Sequence, residues 1–290
     1  MSHGPDRWLV VHVSSPSDEL RHVLSEGLVA SGGSAVVEEG GVLTTWLPEP
    51  ADIGLAVGSI RSRLETAAGQ PVELRVEVRP SEDWLGQWRD GLAPRRVGNR
   101  IIVAPSWTRP QTGSPDDIVI VIDPQMAFGT GEHASTRGAL RMLEHAITAG
   151  RTVLDVGAGS AVLAIAAARL GAARVVAVES DDSAIENARD NIESNGCTDR
   201  ISLEHGNVDD TWLANHAALF DVIVANVLSG VLRPLLPAFR RSVGQGGWII
   251  LGGILEEEAE DVKADAAAAS FRLDREEVEV GWWTGCFRGT

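Results

Sequence analysis

The stretch Val153-Leu154-Asp155-Val156-Gly157-Ala158-Gly159-Ser160 restricts the fold more than any other part of this chain. A buried-strand pattern runs straight into a Gly-x-Gly turn, and the apolar residues around Leu163 to Ile165 then read as a helix. A second apolar run, Arg174 to Glu179, ends on a carboxylate about 20 residues further on. Strand, glycine turn, helix and strand make a βαβ unit, which calls for a parallel sheet covered by helices. The glycines and the carboxylate then meet at the carboxyl edge of that sheet, where open α/β folds bind their ligands.

Strands and helices alternate around this unit from Asp117 onward. Strands are expected at 118–122, 152–156, 174–179, 201–205, 221–225, 247–251, 271–280 and 282–288, with helices near 134–149, 161–170, 182–194, 230–242 and 255–269. Only Gly281 separates the last two strands, so they form an antiparallel hairpin on an otherwise parallel sheet. The expected fold class is α/β, a doubly wound, mostly parallel sheet of seven strands. The first hundred residues instead read βαββαβ, the order of a small α+β ferredoxin-like domain. This gives an N-terminal domain at 1–104, a linker at 105–116 and a second domain at 117–290. The tryptophan-rich segment Trp84 to Trp107 suits an aromatic closing layer of the first domain, or a rigid connector that also faces a substrate.

The formal net charge is −16, with a pI near 4.8. Such a surface repels a phosphate backbone, so direct nucleic-acid binding is not expected, whereas a basic protein or a cationic ligand is favoured; solubility alone is the alternative. The apolar runs, such as Ala161 to Ala168, are too short for a membrane span, and Met1 to Val13 lack a signal-peptide pattern. Cys197 and Cys286 cannot build a disulfide framework, which fits a reducing, cytoplasmic setting. The seven histidines show no metal-ligand spacing, so no metal is expected. Oligomeric state is left open.

Gly157 and Gly159 allow a cofactor to approach the backbone closely. A dinucleotide fingerprint would put a third glycine at 162, but Val162 stands there. With Asp155 just before the turn, this favours S-adenosylmethionine, which carries no phosphate. Asp155 can meet the cationic aminoacyl end of that cofactor, or bond the neighbouring turn amides. Glu179 can accept from the ribose hydroxyls. Upstream, Asp123 to Thr136 form a glycine-rich loop leading into a helix, with Phe128 as an apolar face and Thr136 as a hydroxyl. His133 in that loop suits a helix cap or a general base. At the end of the fourth strand of the α/β unit stands Asn226, whose amide oxygen could orient an attacking amine; a turn or cap asparagine is the alternative.

Together these residues resemble the ribosomal protein L11 methyltransferase family over nearly the whole chain. The most specific matches are Phe128-Gly129-Thr130-Gly131-Glu132-His133, Ala225-Asn226-Val227-Leu228 and Gly252-Gly253-Ile254-Leu255. The connector from Glu82-Asp83-Trp84 to Pro105-Ser106-Trp107 and the ferredoxin-like first domain match as well. The resemblance implies cofactor contacts at Thr136, Gly157, Glu179 and Asn226, with Phe128 and Asp155 nearby. It implies S-adenosylmethionine-dependent methylation of lysine side-chain amines and an N-terminal amine on a ribosomal protein, recognised by the first domain. A related enzyme acting on another protein or a small amine is the alternative. The chain departs from the family at Ala161, usually glycine, at Gly252, usually serine, and at Glu179, usually aspartate.

Overall fold

Alternating side chains put Leu9, Val11 and Val13 on one face of the first strand, β1 (Arg7–Ser14). In the computed structural model, which describes residues 7–14, 18–33, 36–39, 41–80, 93–108, 110–123, 129, 131–216 and 219–290, these three side chains pack on two helices. Their partners are Leu24 and Leu28 of α1 (Asp18–Val29), and Ile60 and Leu64 of α2 (Ile53–Ala68). The sheet order is β2 (Val36–Glu39), β3 (Val42–Pro48), β1, β4 (Leu74–Pro80), antiparallel throughout. This is the ferredoxin-like arrangement that the βαββαβ pattern predicts. Asp52 caps α2 by accepting from the Leu55 N–H at 2.9 Å, and Gly69, at φ 65°, ends it.

The chain divides into two units, Met1–Leu92 and Ala93–Thr290. The boundary therefore lies before the expected break at 104. The reason is strand pairing: β5 (Arg95–Val97) and β6 (Ile101–Ala104) join β7 (Ile118–Val121) in a separate three-stranded sheet. β6 and β7 run parallel, with Ile101 opposite Ile118, so the expected linker at 105–116 is a crossover within one unit. Val97, Ile101, Val103 and Ile120 share the core of the second unit. The strand expected at 118–122 thus lies outside the large sheet. The Trp84 end of the aromatic segment falls outside the described residues.

The large sheet has seven strands in the order β10 (Ile201–His205), β9 (Arg174–Glu179), β8 (Thr152–Val156), β11 (Phe220–Asn226), β12 (Val243–Leu255), β14 (Trp282–Gly289), β13 (Phe271–Glu279). The first five are parallel, and β14 inserts antiparallel between β12 and β13, as the Gly281 hairpin predicts. One face packs on α3 (Ala134–Ala146), α4 (Val162–Arg169) and α5 (Asp182–Ser194). The other packs on α8 (Leu236–Ser242) and α9 (Ala259–Ala268). The single helix expected at 230–242 is three pieces: α7 (Ser229–Leu232), a 3-10 turn at Arg233–Leu235, then α8. Pro234 and Pro237 have no N–H to continue one ladder. A short helix α6 (Asp210–Ala214), capped by Asp209, gave no periodic signal to find it by.

Helix α3 delivers residues to the carboxyl edge of the sheet, and its seat is close. A Cβ at Gly138 would lie 2.3 Å from Thr284 Oγ1 and 2.9 Å from Thr284 Cβ. Arg141 then clamps the helix to β13, its Nε 2.8 and 3.0 Å from the two oxygens of Glu277. Helix propensity alone would make Gly138→Ala stabilising by about 1 kcal/mol. The crowding at buried Thr284 should reverse that sign, and Gly138→Ala/Thr284→Ala should recover most of the loss; urea unfolding midpoints of the two variants decide it.

Candidate active site

Strand β8 sits between β9 and β11, and Asp155 is in register with Ala177 on one side and Val224 on the other. Glu179 and Asn226 each stand two residues further toward the carboxyl end of their strands. Pleat alternation therefore turns Asp155, Glu179 and Asn226 to one face, the face covered by α3, α4 and α5. The sequence-predicted carboxylates and amide are thus brought together by register.

The turn after β8 is tied to β9: the amides of Gly157 and Ala158 both donate to the Val178 carbonyl, at 2.9 and 3.0 Å. Gly157 has φ 71°, and a Cβ there would meet Val227 Cγ1 at 2.6 Å. Glycine is required there on both counts. Ala161, fully buried at the N-terminus of α4, is also left-handed, with φ 65° and ψ 19°. Left-handed backbone puts its Cβ against the neighbouring carbonyl, at a cost of roughly 1–2 kcal/mol.

Glu179 is bound to backbone at three points. Its Oε2 accepts from Gly159 N at 2.7 Å, and its Oε1 accepts from Ser180 N at 2.7 Å and Asp181 N at 2.8 Å. Two carboxylate oxygens offer about four acceptor positions. One remains open, on Oε2.

Asp155 is completely buried, and neither of its oxygens has a well-formed hydrogen bond; the Ala164 amide lies near enough only to draw on its charge. Burial foremost, with the charge of Glu179 adding to it, pushes its carboxyl up to about 7, against the opposing pull of the Ala164 amide at the start of α4. Asn226 repeats the pattern. Its Nδ2 faces Thr136 Oγ1 at 3.4 Å, while its Oδ1 is buried and unpartnered. Thr136 itself is fully buried in the first turn of α3. A buried polar atom without a partner is costly in a folded chain, and such atoms mark positions made for something else.

His133 is the N-cap of α3: its Nδ1 lies 2.8 Å from Ser135 Oγ and accepts from Ser135 N at 3.3 Å. Its ring stands edge-on to Trp282, with centroids 4.6 Å apart. Burial, and then the charge of Arg137, lower its pKa, so the ring is neutral at pH 7. Capping is the role the structure gives it. Phe128 lies outside the described residues.

One feature escaped sequence reasoning. Asn187 and Asn191 on α5, and Asn195 at its C-cap, are buried and hold the backbone of Val121 and Asp123. Their spacing on a helix rich in Asp, Glu and Ser does not tell burial from exposure. Gly252-Gly253, singled out in the sequence, meets the site closely: a Cβ at 252 would lie 2.9 Å from Asn226 Oδ1, and one at 253 would lie 2.7 Å from the Val227 carbonyl.

A buried carboxylate with two open oxygens, a carboxylate beside a glycine turn and an open amide oxygen fit S-adenosylmethionine. Asp155 matches its ammonium, Glu179 its ribose, and the glycines its close approach to the backbone. Residues 34–289 match the family model described as ribosomal protein L11 methyltransferase (PrmA). The chain belongs to that family. A ribosomal protein L11 methyltransferase of Pelobacter propionicus is 36% identical, with 96% of each chain covered. One of Gloeobacter violaceus is also 36% identical, over 95% of this chain and 80% of its own. A crystal structure of a ribosomal protein L11 methylase from Lactobacillus delbrueckii subsp. bulgaricus is 31% identical, covers 68% of this chain and 99% of its own, and superposes with a TM-score of 0.61. As a member of this family the chain is a methyltransferase that uses S-adenosylmethionine. Among the described residues no group of three His, Cys, Asp or Glu side chains could hold a metal ion, and no helix is long and apolar enough to cross a membrane.

The strain at Ala161 can be measured. Ala161→Gly removes a left-handed penalty of roughly 1–2 kcal/mol and gives up about 0.8 kcal/mol of methyl burial. The net expectation is a gain of up to about 1 kcal/mol, seen as a Tm rise of about 2–4 °C per kcal/mol in a chain of this size. A fall in Tm would mean the methyl packs better than its backbone costs.

Proposed function

We propose that this methyltransferase transfers the cofactor's methyl group to amine nitrogens of ribosomal protein L11, on lysine side chains and at the N-terminus. The observation that carries the amine reading is the unpartnered, buried Oδ1 of Asn226 at the sheet edge. An amide oxygen can accept one N–H of a neutral amine and aim its lone pair, and the following backbone carbonyl can take another. The names of the relatives, together with a surface of net charge −16 that attracts a basic protein, support L11 as the acceptor. The first unit recognises the substrate, and a ribosomal substrate places the reaction in the cytoplasm.

When bound, S-adenosylmethionine supplies a methyl group made electrophilic by its sulfonium. The chain's share is alignment. Asp155 holds the ammonium end, Glu179 the ribose, Gly157 and Gly159 the backbone approach, and Thr136 lies beside Asn226 at the same edge. Asn226 orients the amine. Lysine has a pKa of about 10.4, so the amine sheds its proton to solvent before attack, and no side chain acts as a dedicated base. His133, held as a cap, is not one.

Asn226→Ala should lower kcat about 100-fold, the scale of losing alignment, with cofactor affinity changed much less. Near-normal turnover would remove the positioning role. Mass spectrometry of L11 after incubation with enzyme and cofactor should find methyl groups on lysines and the N-terminus. Methylation of other lysate proteins but not of L11 would overturn the substrate assignment.

A cation beside Asp155 favours its ionised form, whereas burial in the free enzyme holds it protonated up to about pH 7. Binding should therefore release a proton below that pH. Affinity for the cofactor should fall as pH drops from 7 to 5.5, approaching tenfold per unit. Raised above the ordinary value, the same group makes the free enzyme lose stability as pH rises from about 4 to about 7. Asp155→Asn should flatten the binding profile; calorimetry in two buffers of different ionisation enthalpy reads both effects.

A further inference from the structure

Six buried or half-buried hydrogen bonds run from the asparagines of α5 and its C-cap, through Ser160, to the chain on either side of residues 124–128. Asn195 Oδ1 accepts from Val121 N at 2.9 Å, and its Nδ2 donates to the Val121 carbonyl at 2.6 Å. Asn187 Nδ2 donates to the Asp123 carbonyl at 2.9 Å, and Asn191 Oδ1 accepts from Asp123 N at 3.0 Å. Asn191 then turns its Nδ2 to the Ser160 carbonyl at 3.1 Å. Ser160 completes the circuit, its Oγ donating to the Gly129 carbonyl at 2.6 Å.

Ser160 is the pivot of this circuit. It lies between Gly159, whose amide is bound to Glu179, and Ala161, the strained N-cap of α4. Its carbonyl reaches Asp123 through Asn191, and its hydroxyl reaches Gly129 directly. Both Ser160 and Asn191 are buried, so water has no easy access to replace either bond. The contact also depends on glycine: a Cβ at Gly129 would lie 2.8 Å from Ser160 Oγ. The backbone at Asp123 and at Gly129 is thereby referred to one residue of the cofactor turn.

We propose that Ser160 and Asn191 are positioning residues that lock Asp123 and Gly129 to the cofactor turn, setting both glycine loops in one register for the methyl donor. They touch neither reacting atom; they act through the backbone they hold. Losing either bond leaves β8 and its strand neighbours in place and loosens the fit between the two loops. The effect belongs to the donor's side of the reaction and not to the acceptor's.

Ser160→Ala and Asn191→Ala, each in the full-length protein, test this. The probe is S-adenosylhomocysteine, whose Kd is measured by calorimetry. Each variant should bind it roughly five- to tenfold more weakly, the scale of one buried hydrogen bond. The KM for S-adenosylmethionine should rise with it, and the KM for the acceptor protein should stay unchanged. The double variant should lose less than the product of the two single effects, because one circuit is broken twice. Hydrogen exchange at residues 129–132, at saturating S-adenosylhomocysteine, should quicken in both variants while β8 stays protected. Affinity within twofold of wild type in both overturns the proposal. So does faster exchange across β8 together with an equal rise in both KM values, which would make the bonds merely structural.

Discussion

The register of three parallel strands, β9, β8 and β11, is the constraint on which the carboxyl edge depends. A slip of one residue in β8 would turn Asp155 into the core of Leu154, Val156 and Phe239 on the opposite face. Apolar pattern alone fixes this register weakly, because β8 is buried on both faces. Polar bonds at the two ends fix it instead. At the amino end Asp221 accepts from Thr152 N at 2.9 Å and pairs with Arg151 at 2.9 Å. At the carboxyl end Gly157 and Ala158 donate to Val178. Between those two anchors the strand has no freedom to slide, and Asp155 has nowhere else to face.

Unfavourable local choices cluster just beyond that anchor. A buried carboxylate without partners, an alanine in left-handed backbone and an amide oxygen without a donor all lie within one turn of the same sheet edge. Each destabilises the free protein, and each is sustained by the surrounding core. Gly252 and Gly253 belong to the same set. The register between β12 and β14 shifts between Leu251 and Ile254, and Gly253 at φ 74° lets β12 approach the Val227 backbone. With no side chain at 252, the Asn226 oxygen stays open. A serine there would bring its Cβ within 2.9 Å of that oxygen and its hydroxyl within reach of the amide.

Residue patterns with a short-range physical cause were legible in the sequence. The glycine turn, the Gly281 hairpin, the βαββαβ order and the placing of Asp155, Glu179 and Asn226 at strand ends all follow from periodicity and turn chemistry. What was not legible depends on partners far along the chain. Strands 95–97 and 101–104 read as the tail of the first domain until their pairing with 118–121 is seen. Asn187, Asn191 and Asn195 carry no signal of their own in the sequence, yet they are buried where backbone groups of Val121 and Asp123 come to them. Polarity at helical spacing does not say whether water or a neighbouring backbone satisfies it.

Glu179 shows how one methylene changes a site without changing its chemistry. The longer side chain folds back so that its carboxylate collects amides from both Gly159 and the Ser180-Asp181 pair. In doing so it bonds the cofactor turn to the start of α5, the helix that also carries the three asparagines. A ribose offers two hydroxyls, but only one acceptor position is open on this carboxylate. For this carboxylate to accept two further donors, one of its three backbone amides has to leave it. The residue that the sequence reading assigns to a ribose is, in the folded chain, a backbone strut.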